Sequence, residues 1–147
     1  IDLADRAFMP NPLVVIAPAG HALAGRGPLA LQELGGKSFI LRERGSGTRM
    51  AIDAHLKRQR FKPNLRLELG SNEAIKEAVA GGLGVSVLSV HALTARPEDQ
   101  GLAVLDVQSF PIESQWHVVW LRGKRLSPIA QVFQEHLLEQ SARWKPG

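Results

Sequence analysis

The chain has 147 residues, of which 44% are apolar and 22% charged, and it carries a formal net charge of +4. This apolar share excludes a disordered or collagen-like chain. The absence of cysteine excludes a disulfide framework, a cysteine nucleophile and a cysteine-ligated zinc. The length allows one domain or two small lobes, and the mild positive charge is compatible with an anionic ligand.

The sequence begins with Ile1 rather than Met, and nothing at its start resembles a signal peptide. The longest uninterrupted apolar stretch, Leu13 to Ala17, is far shorter than the ~20 residues that a membrane helix needs. We therefore expect an excised part of a longer cytoplasmic protein, with some of its elements missing upstream.

Strand-like and helix-like patterns alternate along the chain. The apolar runs and period-two patterns predict strands at 13–17, 38–42, 65–69, 85–89, 102–107 and 116–121. Helical stripes and their flanking residues predict a short turn at 28–34 and helices at about 48–60, from 72 to Gly81, near 91–95 and after Ser127. This alternation favours an α/β fold with a mainly parallel sheet, in which the run 13–17 is buried on both faces.

The most informative segment is the Gly-Ser-Gly-Thr-Arg sequence at 45–49, where a predicted strand gives way to a helix. The first N–H groups of a helix lack internal partners, and the helix dipole places about half a positive charge there. The hydroxyls of Ser46 and Thr48 add donors, and nearby arginines, Arg49 among them, add charge. This pattern predicts an anion site that includes Gly47, but an ordinary capped helix start with solvated arginines remains open.

A second helix is predicted to open at Ser71-Asn72-Glu73, directly after a strand. In an open parallel sheet, such strand-to-helix turns lie at the carboxyl edge, where ligands bind. Asn72 and Glu73 therefore join the candidate ligand-binding residues, and simple capping of the helix by Ser71 or Asn72 is the alternative.

Other features of the sequence carry less chemistry. No two of the five histidines have a metal-binding spacing, and neither a metal nor a cofactor is expected. The Gly-Gly-Leu-Gly sequence at 81–84 runs from helix into strand, which is the wrong direction for a phosphate loop and favours a tight connection. The basic tract 57–62 lacks a nucleic-acid-reading motif and is interpreted as a solvated helix face.

Taken together, these segments resemble the effector-binding domain of LysR-type transcriptional regulators. The landmarks are Asn11 to Pro18, Phe39 to Glu43, Gly45 to Arg49 and Ser71 to Lys76, and they recur in order over nearly the whole chain. The combination of Ser71 to Lys76 with Gly123 to Pro128 looks most like the branch that regulates carbon-dioxide-fixation (RuBisCO) operons. Where the family usually has His-Pro-Leu, this chain has His21-Ala22-Leu23, and only Asp5 to Pro10 precede Asn11 where the family has a longer segment.

The resemblance implies a two-lobed α/β fold like that of type II periplasmic binding proteins, with Rossmann-like sheets. Lobe I would comprise 1–17 and 108–147 and be incomplete in this chain, and lobe II would comprise 18–107. Effector would bind between the lobes, with Ser46, Thr48 and Asn72 lining the lobe II side.

The same resemblance implies a ligand-sensing function and no enzymatic activity. The effector would be a small anionic metabolite, such as a phosphorylated sugar, a nucleotide or a carboxylate. The protein would form a homodimer or homotetramer and reach DNA only through an upstream winged helix-turn-helix. A solute-binding protein or an enzyme on the same fold is the alternative.

Overall fold

The computed structural model describes residues 3–121, with side chains described for residues 9–116. The helix predicted after Ser127 lies outside the described residues. The strands are β1 (Leu3–Pro10), β2 (Leu13–Pro18), β3 (Ser38–Arg42), β4 (Asn64–Leu69), β5 (Ser86–Ser89), β6 (Leu102–Leu105) and β7 (Gln115–Leu121). The α-helices are α1 (Gly47–Arg58) and α2 (Asn72–Ala80), and 3-10 turns cover Leu31–Leu34, Val90–Ala92 and Pro97–Gln100.

The chain divides into two compact units. The central unit comprises Pro12–Ile112, and the terminal unit comprises Ile1–Asn11 with Glu113–Gly147. In the terminal unit, β1 and β7 form an antiparallel pair. The division falls at Pro12 and Ile112 instead of the expected 18 and 107, because β2 pairs within the central sheet. The assignment of the two units to lobes II and I stays a prediction.

The central unit contains strands in the spatial order β4-β3-β5-β2-β6. β3 pairs with β4 in parallel, β2 pairs antiparallel with both β5 and β6, and a parallel bridge between Phe39 and Val85 links β3 to the start of β5. Four of these strands therefore run in one direction and β2 runs against them. The predicted mainly parallel sheet is found here, with β2 as the exception.

The apolar run of β2 is explained by packing on both of its faces. Val15 packs in one core cluster with Ile52 and Leu56 of α1, while Ile16 packs in another with Ile75 of α2. Successive strand residues point to opposite faces, so each face requires its own apolar set. The apolar run indicates burial on both faces of β2. It does not determine whether β2 runs parallel or antiparallel to its neighbours.

The remaining elements lie close to their predicted positions. The predicted helix near 91–95 is a shorter 3-10 turn, Val90–Ala92, which stops at Leu93 because that residue has extended backbone angles. β6 ends at Leu105, and Val107 bridges to Leu29 outside the named strands. Both differences affect connections and leave the sheet edge that carries the candidate site unchanged.

Candidate functional site

The two predicted helix starts lie at the same edge of the central sheet. Arg42 and Leu69, the last residues of β3 and β4, are register partners in the parallel pair. The backbone N–H of Glu43 donates to the carbonyl oxygen of Leu69 over 3.1 Å, which ties the two turns together just beyond the strands. Because both helices follow neighbouring parallel strands, their N-termini emerge at one edge.

The start of α1 keeps part of its donor capacity available. Ser46 is the N-cap residue, and its Oγ accepts a hydrogen bond from the backbone N–H of Arg49 over 3.0 Å. The N–H groups of Gly47 and Thr48 have no acceptor within the helix, since the first turn lies before the i−4 ladder begins. Ser46 and Thr48 are half-buried and Gly47 is exposed. This turn therefore offers two backbone donors and a threonine hydroxyl.

The start of α2 has the same construction. Ser71 is the N-cap residue, and its Oγ accepts from the backbone N–H of Ala74 over 3.1 Å, which leaves the N–H groups of Asn72 and Glu73 without an intrahelical acceptor. Oδ1 of Asn72 is buried and has no hydrogen-bond partner in the described part of the chain. A buried polar atom without a partner costs free energy, so this amide oxygen is an acceptor available for a hydrogen bond beyond those of the described residues.

Arg49 has a different position from the one that an effector-binding residue requires. Its side chain is 7% exposed, and its guanidinium binds Asp53 Oδ1 at 2.9 Å and Glu68 Oε1 at 3.2 Å. It also donates to the backbone carbonyl of Arg42 over 2.8 Å. Burial opposes its charge, but the hydrogen bonds that Arg49 donates to Asp53 and Glu68 outweigh that effect and raise the pKa of Arg49. Arg49 thus connects α1 to the ends of β3 and β4.

The other arginines near this edge are also paired with carboxylates. Arg42 binds Glu43 at 3.1 Å, and Arg44 lies 3.8 Å from Glu68. The hydrogen bond from Arg42 holds the pKa of the Glu43 carboxyl below its ordinary value. The positive charge that the sequence places near this edge is therefore largely neutralised within the chain. The helix N-termini supply the partial positive charge that remains there.

Glu73 is 78% exposed and forms an ion pair with Lys76 at 2.8 Å, one turn along α2. The ammonium of Lys76, which is 8% exposed, also donates to the carbonyl oxygen of Ala92 over 2.7 Å. This contact fastens α2 to the turn after β5. The i, i+3 spacing of Glu73 and Lys76 was available in the sequence, whereas the contact with Ala92 was not.

One of the Arg49 contacts could be predicted from the sequence. Arg49 and Asp53 have the i, i+4 spacing of a helical ion pair. Glu68, however, comes from β4, nineteen residues further along, and only the parallel register brings it to Arg49. Among the described side chains of residues 9–116, no three metal-ligating groups cluster, and no helix within residues 3–121 reaches the length and hydropathy of a membrane span.

The fold class and its relatives can now be stated. The central sheet and its helices have the fold of type II periplasmic binding proteins, as predicted. The family model described as "LysR substrate binding domain" matches residues 2–142. The chain belongs to this family.

Three similar proteins support the family assignment. A RuBisCO operon transcriptional regulator from Allochromatium vinosum is 43% identical over 143 residues, covering 97% of this chain and 47% of that protein. The HTH-type transcriptional activator CmpR of Synechocystis sp. is 44% identical over 137 residues, covering 93% of this chain and 45% of CmpR. The predicted resemblance to the RuBisCO operon branch is thereby confirmed, and the chain spans about half the length of both relatives.

The regulatory domain of CcmR from Synechocystis PCC6803, solved in complex with 2-PG, is similar in structure as well. It is 46% identical, with a TM-score of 0.76, and the match covers 97% of this chain and 69% of that chain.

Proposed function

We propose that this chain is the sensor of a DNA-binding transcriptional regulator and that it binds a small phosphorylated carboxylate at the shared edge of β3 and β4. Ser46, Gly47, Thr48 and Asn72 are the contacts that the central unit contributes. The side chains of Arg49 and Glu73 act indirectly, because their charged groups are engaged by Asp53, Glu68 and Lys76, while the backbone N–H of Glu73 remains available.

The observation that carries this proposal is the pairing of two helix N-termini at one sheet edge. Together they offer four backbone N–H groups without intrahelical acceptors, and the helix dipoles favour negative charge there. The unpartnered amide of Asn72 supports the same assignment. Rotation of the Asn72 side-chain amide by 180° presents its NH2 group to an anionic oxygen. In the present orientation its Oδ1 accepts a hydrogen bond from a ligand hydroxyl.

The similarity to the CcmR domain directs the choice of ligand. That domain binds 2-phosphoglycolate and is 46% identical to this chain. A phosphate and a carboxylate on one small molecule suit two separate clusters of backbone donors. We therefore place 2-phosphoglycolate first among the candidate effectors, followed by phosphoglycerate, phosphorylated sugars and nicotinamide nucleotides.

The names of the relatives support the rest of the proposal. A RuBisCO operon regulator and the activator CmpR are longer proteins of which this chain matches about half. We propose that the protein works in the cytoplasm as a homodimer or homotetramer and that an upstream winged helix-turn-helix contacts DNA. The effector shifts the regulator between states only by its differential affinity for them.

Calorimetric titration of the 147-residue chain with 2-phosphoglycolate tests the ligand assignment. The wild-type chain should bind it with one site, and Asn72→Ala and Thr48→Val should each raise the Kd about tenfold, equivalent to ~1.4 kcal/mol. The loss follows because each variant removes a side-chain partner while leaving the helix in place.

Asn64→Ala and Thr94→Val serve as matched controls, because they change the same residue types away from this edge. Both should bind 2-phosphoglycolate with unchanged affinity. Equal affinity in all four variants and the wild-type chain would remove the proposed site.

A further inference from the structure

The opposite edge of the central sheet contains a second cavity, of about 260 Å³. Its walls are Lys37 and Ser38 at the start of β3, Arg66 on β4, the connection 82–85 that leads into β5, and His21 after β2. Ser38 and Arg42 are four positions apart along β3, so this cavity lies roughly 13 Å from the helix starts. It is therefore separate from the proposed effector site.

The charged groups of this cavity have one sign. Lys37 and Arg66 line it together with the imidazole of His21, and none of the described aspartates or glutamates does. Arg66 donates from Nη1 to the carbonyl oxygen of Leu83 over 3.0 Å, which holds the guanidinium at the cavity and leaves its other N–H groups available. Among residues 9–116, whose side chains are described, the ammonium of Lys37 takes part in no ion pair.

His21 adds a donor of defined orientation. Its Nδ1 accepts a hydrogen bond from the backbone N–H of Leu23 over 3.1 Å. Because that nitrogen acts as an acceptor, the ring proton of the neutral imidazole resides on Nε2. His21 is thus fixed as an N–H donor at its other ring nitrogen.

Several acceptors in the wall are already used. The carbonyl oxygen of Pro18 accepts from His21, that of Ser38 accepts from Val85, and that of Leu83 accepts from Arg66. The wall therefore combines three nitrogen donors from side chains with carbonyls that are already bonded. Such an excess of donors and positive charge is the chemistry that recognises an oxyanion.

We propose that this cavity is an anion site that binds one small phosphate-bearing molecule, with Lys37 and Arg66 as its charged contacts. Its volume is at or below the lower end of pockets for drug-sized ligands, about 300 Å³, so it suits inorganic phosphate or a compact phosphate ester. The glycine-rich connection 82–85 forms part of the wall. It runs from α2 into β5, so it is not a strand-to-helix phosphate loop.

Amide NMR spectra of the 147-residue chain, titrated with inorganic phosphate against chloride at equal ionic strength, test this site. Signals of Lys37, Gly82 and Gly84 should shift along one saturable curve, with a Kd on the order of 1 mM. Lys37→Gln and Arg66→Gln should each weaken binding about fivefold, because each removes one charged contact. A parallel titration with acetate should give weaker binding, and equal binding of acetate would contradict the choice of phosphate.

Lys57→Gln is the matched control, since it removes one positive charge from the exposed surface of α1 outside the cavity. It should leave the phosphate affinity unchanged, and equal weakening by Lys37→Gln and Lys57→Gln would show only general charge attraction and overturn the proposal.

Asn72→Ala should also leave the phosphate-induced shifts of Lys37, Gly82 and Gly84 intact. Loss of the shifts in Asn72→Ala, or shifts confined to 46–49 and 71–73, would overturn the cavity site while supporting the effector site. Absence of any saturable shift would overturn it as well.

Discussion

At the scale of single residues, Arg49 shows how a predicted ligand contact can have a structural task instead. The sequence places it in the first turn of a helix beside a glycine-rich approach, which is where an anion-binding arginine would stand. The structure directs its guanidinium to Asp53, Glu68 and the backbone of Arg42. Three chain segments are joined by this one side chain, so its loss should affect stability before it affects binding.

Arg49→Met should lower the free energy of unfolding by about 2 kcal/mol, because it removes the donor to the Arg42 carbonyl, leaves Asp53 without this partner and leaves Glu68 with only the longer contact to Arg44. The partial exposure of Asp53 and Glu68 keeps the figure below that of a fully buried pair. Urea denaturation measures the change.

Arg44→Met is the matched control for this substitution. The Arg44 side chain is 82% exposed and lies 3.8 Å from Glu68, so its removal should cost under about 0.5 kcal/mol. Equal losses from the two variants would contradict the role assigned to Arg49.

A second prediction at this scale concerns His55 on α1. Its ring is 8% exposed, with Nε2 3.0 Å from Ser109 Oγ and an edge-on contact with Phe110. Burial, with a smaller effect of Arg58, lowers the pKa of His55 below its ordinary 6.5. Below that pH the unfolded chain takes up a proton that the folded chain resists, so His55 destabilises the fold as pH falls.

The amount by which the free energy of unfolding of the wild-type chain exceeds that of His55→Gln should therefore decrease as the pH falls from about 7.5 to about 5.5. Thermal unfolding at several pH values measures it, with His21→Gln as the control substitution. A difference that stays constant across this range would contradict the assignment.

At the scale of elements, the predictable part of the fold is the part with a strong apolar period. Strand 65–69 and both α-helices could be placed from the sequence because their apolar spacing is visible, and strand 38–42 could be placed from its continuous apolar run. The same signal could not give the direction of β2, since burial on both faces is compatible with either orientation. Pairing depends on contacts far apart in the sequence, which no local pattern encodes.

The candidate site was predictable to the same extent. The two helix starts follow from local residues, and their common edge follows from the α/β pattern. The contacts of Arg44 and Arg49 with Glu68 required the register of β3 and β4, whereas the pairs Arg42–Glu43 and Arg49–Asp53 are close along the chain. Charge counted along the sequence therefore overstated the positive charge available to a ligand.

The connection between α2 and β5 gives a prediction at this scale. A Cβ at Gly84 would collide with the backbone carbonyl of Ser38, at the point where that carbonyl accepts from Val85. Gly84→Ala should thus lower the free energy of unfolding by about 2 kcal/mol or more, because backbone must shift in a packed region.

Gly36→Ala is the matched control, since a Cβ there meets no heavy atom within 4 Å. It should leave the urea midpoint nearly unchanged. A comparable loss in both variants would indicate that loop flexibility, and not the contact with Ser38, accounts for the effect.

At the scale of the whole molecule, the central unit contains both apolar core clusters within residues 13–112. Its two ends also meet: the N–H of Leu13 donates to the carbonyl of Ile112 over 3.0 Å, and the N–H of Ile112 donates back over 2.8 Å. A segment whose two ends meet and which contains its own hydrophobic core meets the requirements for independent folding.

Residues 12–112, produced alone, should accordingly unfold in one cooperative transition, with a Tm within about 10 °C of the same transition in the 147-residue chain. Circular dichroism during heating measures this. A broad, non-cooperative melt of the fragment would show that the terminal unit is needed for its core.

The meeting of Leu13 and Ile112 also bears on how such proteins diversify. A segment whose entry and exit stand side by side can be exchanged as a cassette, because its replacement only has to present the same two neighbouring strand ends. Recombination between relatives could therefore exchange the whole segment between Pro12 and Ile112, while the sequence on either side continued unchanged.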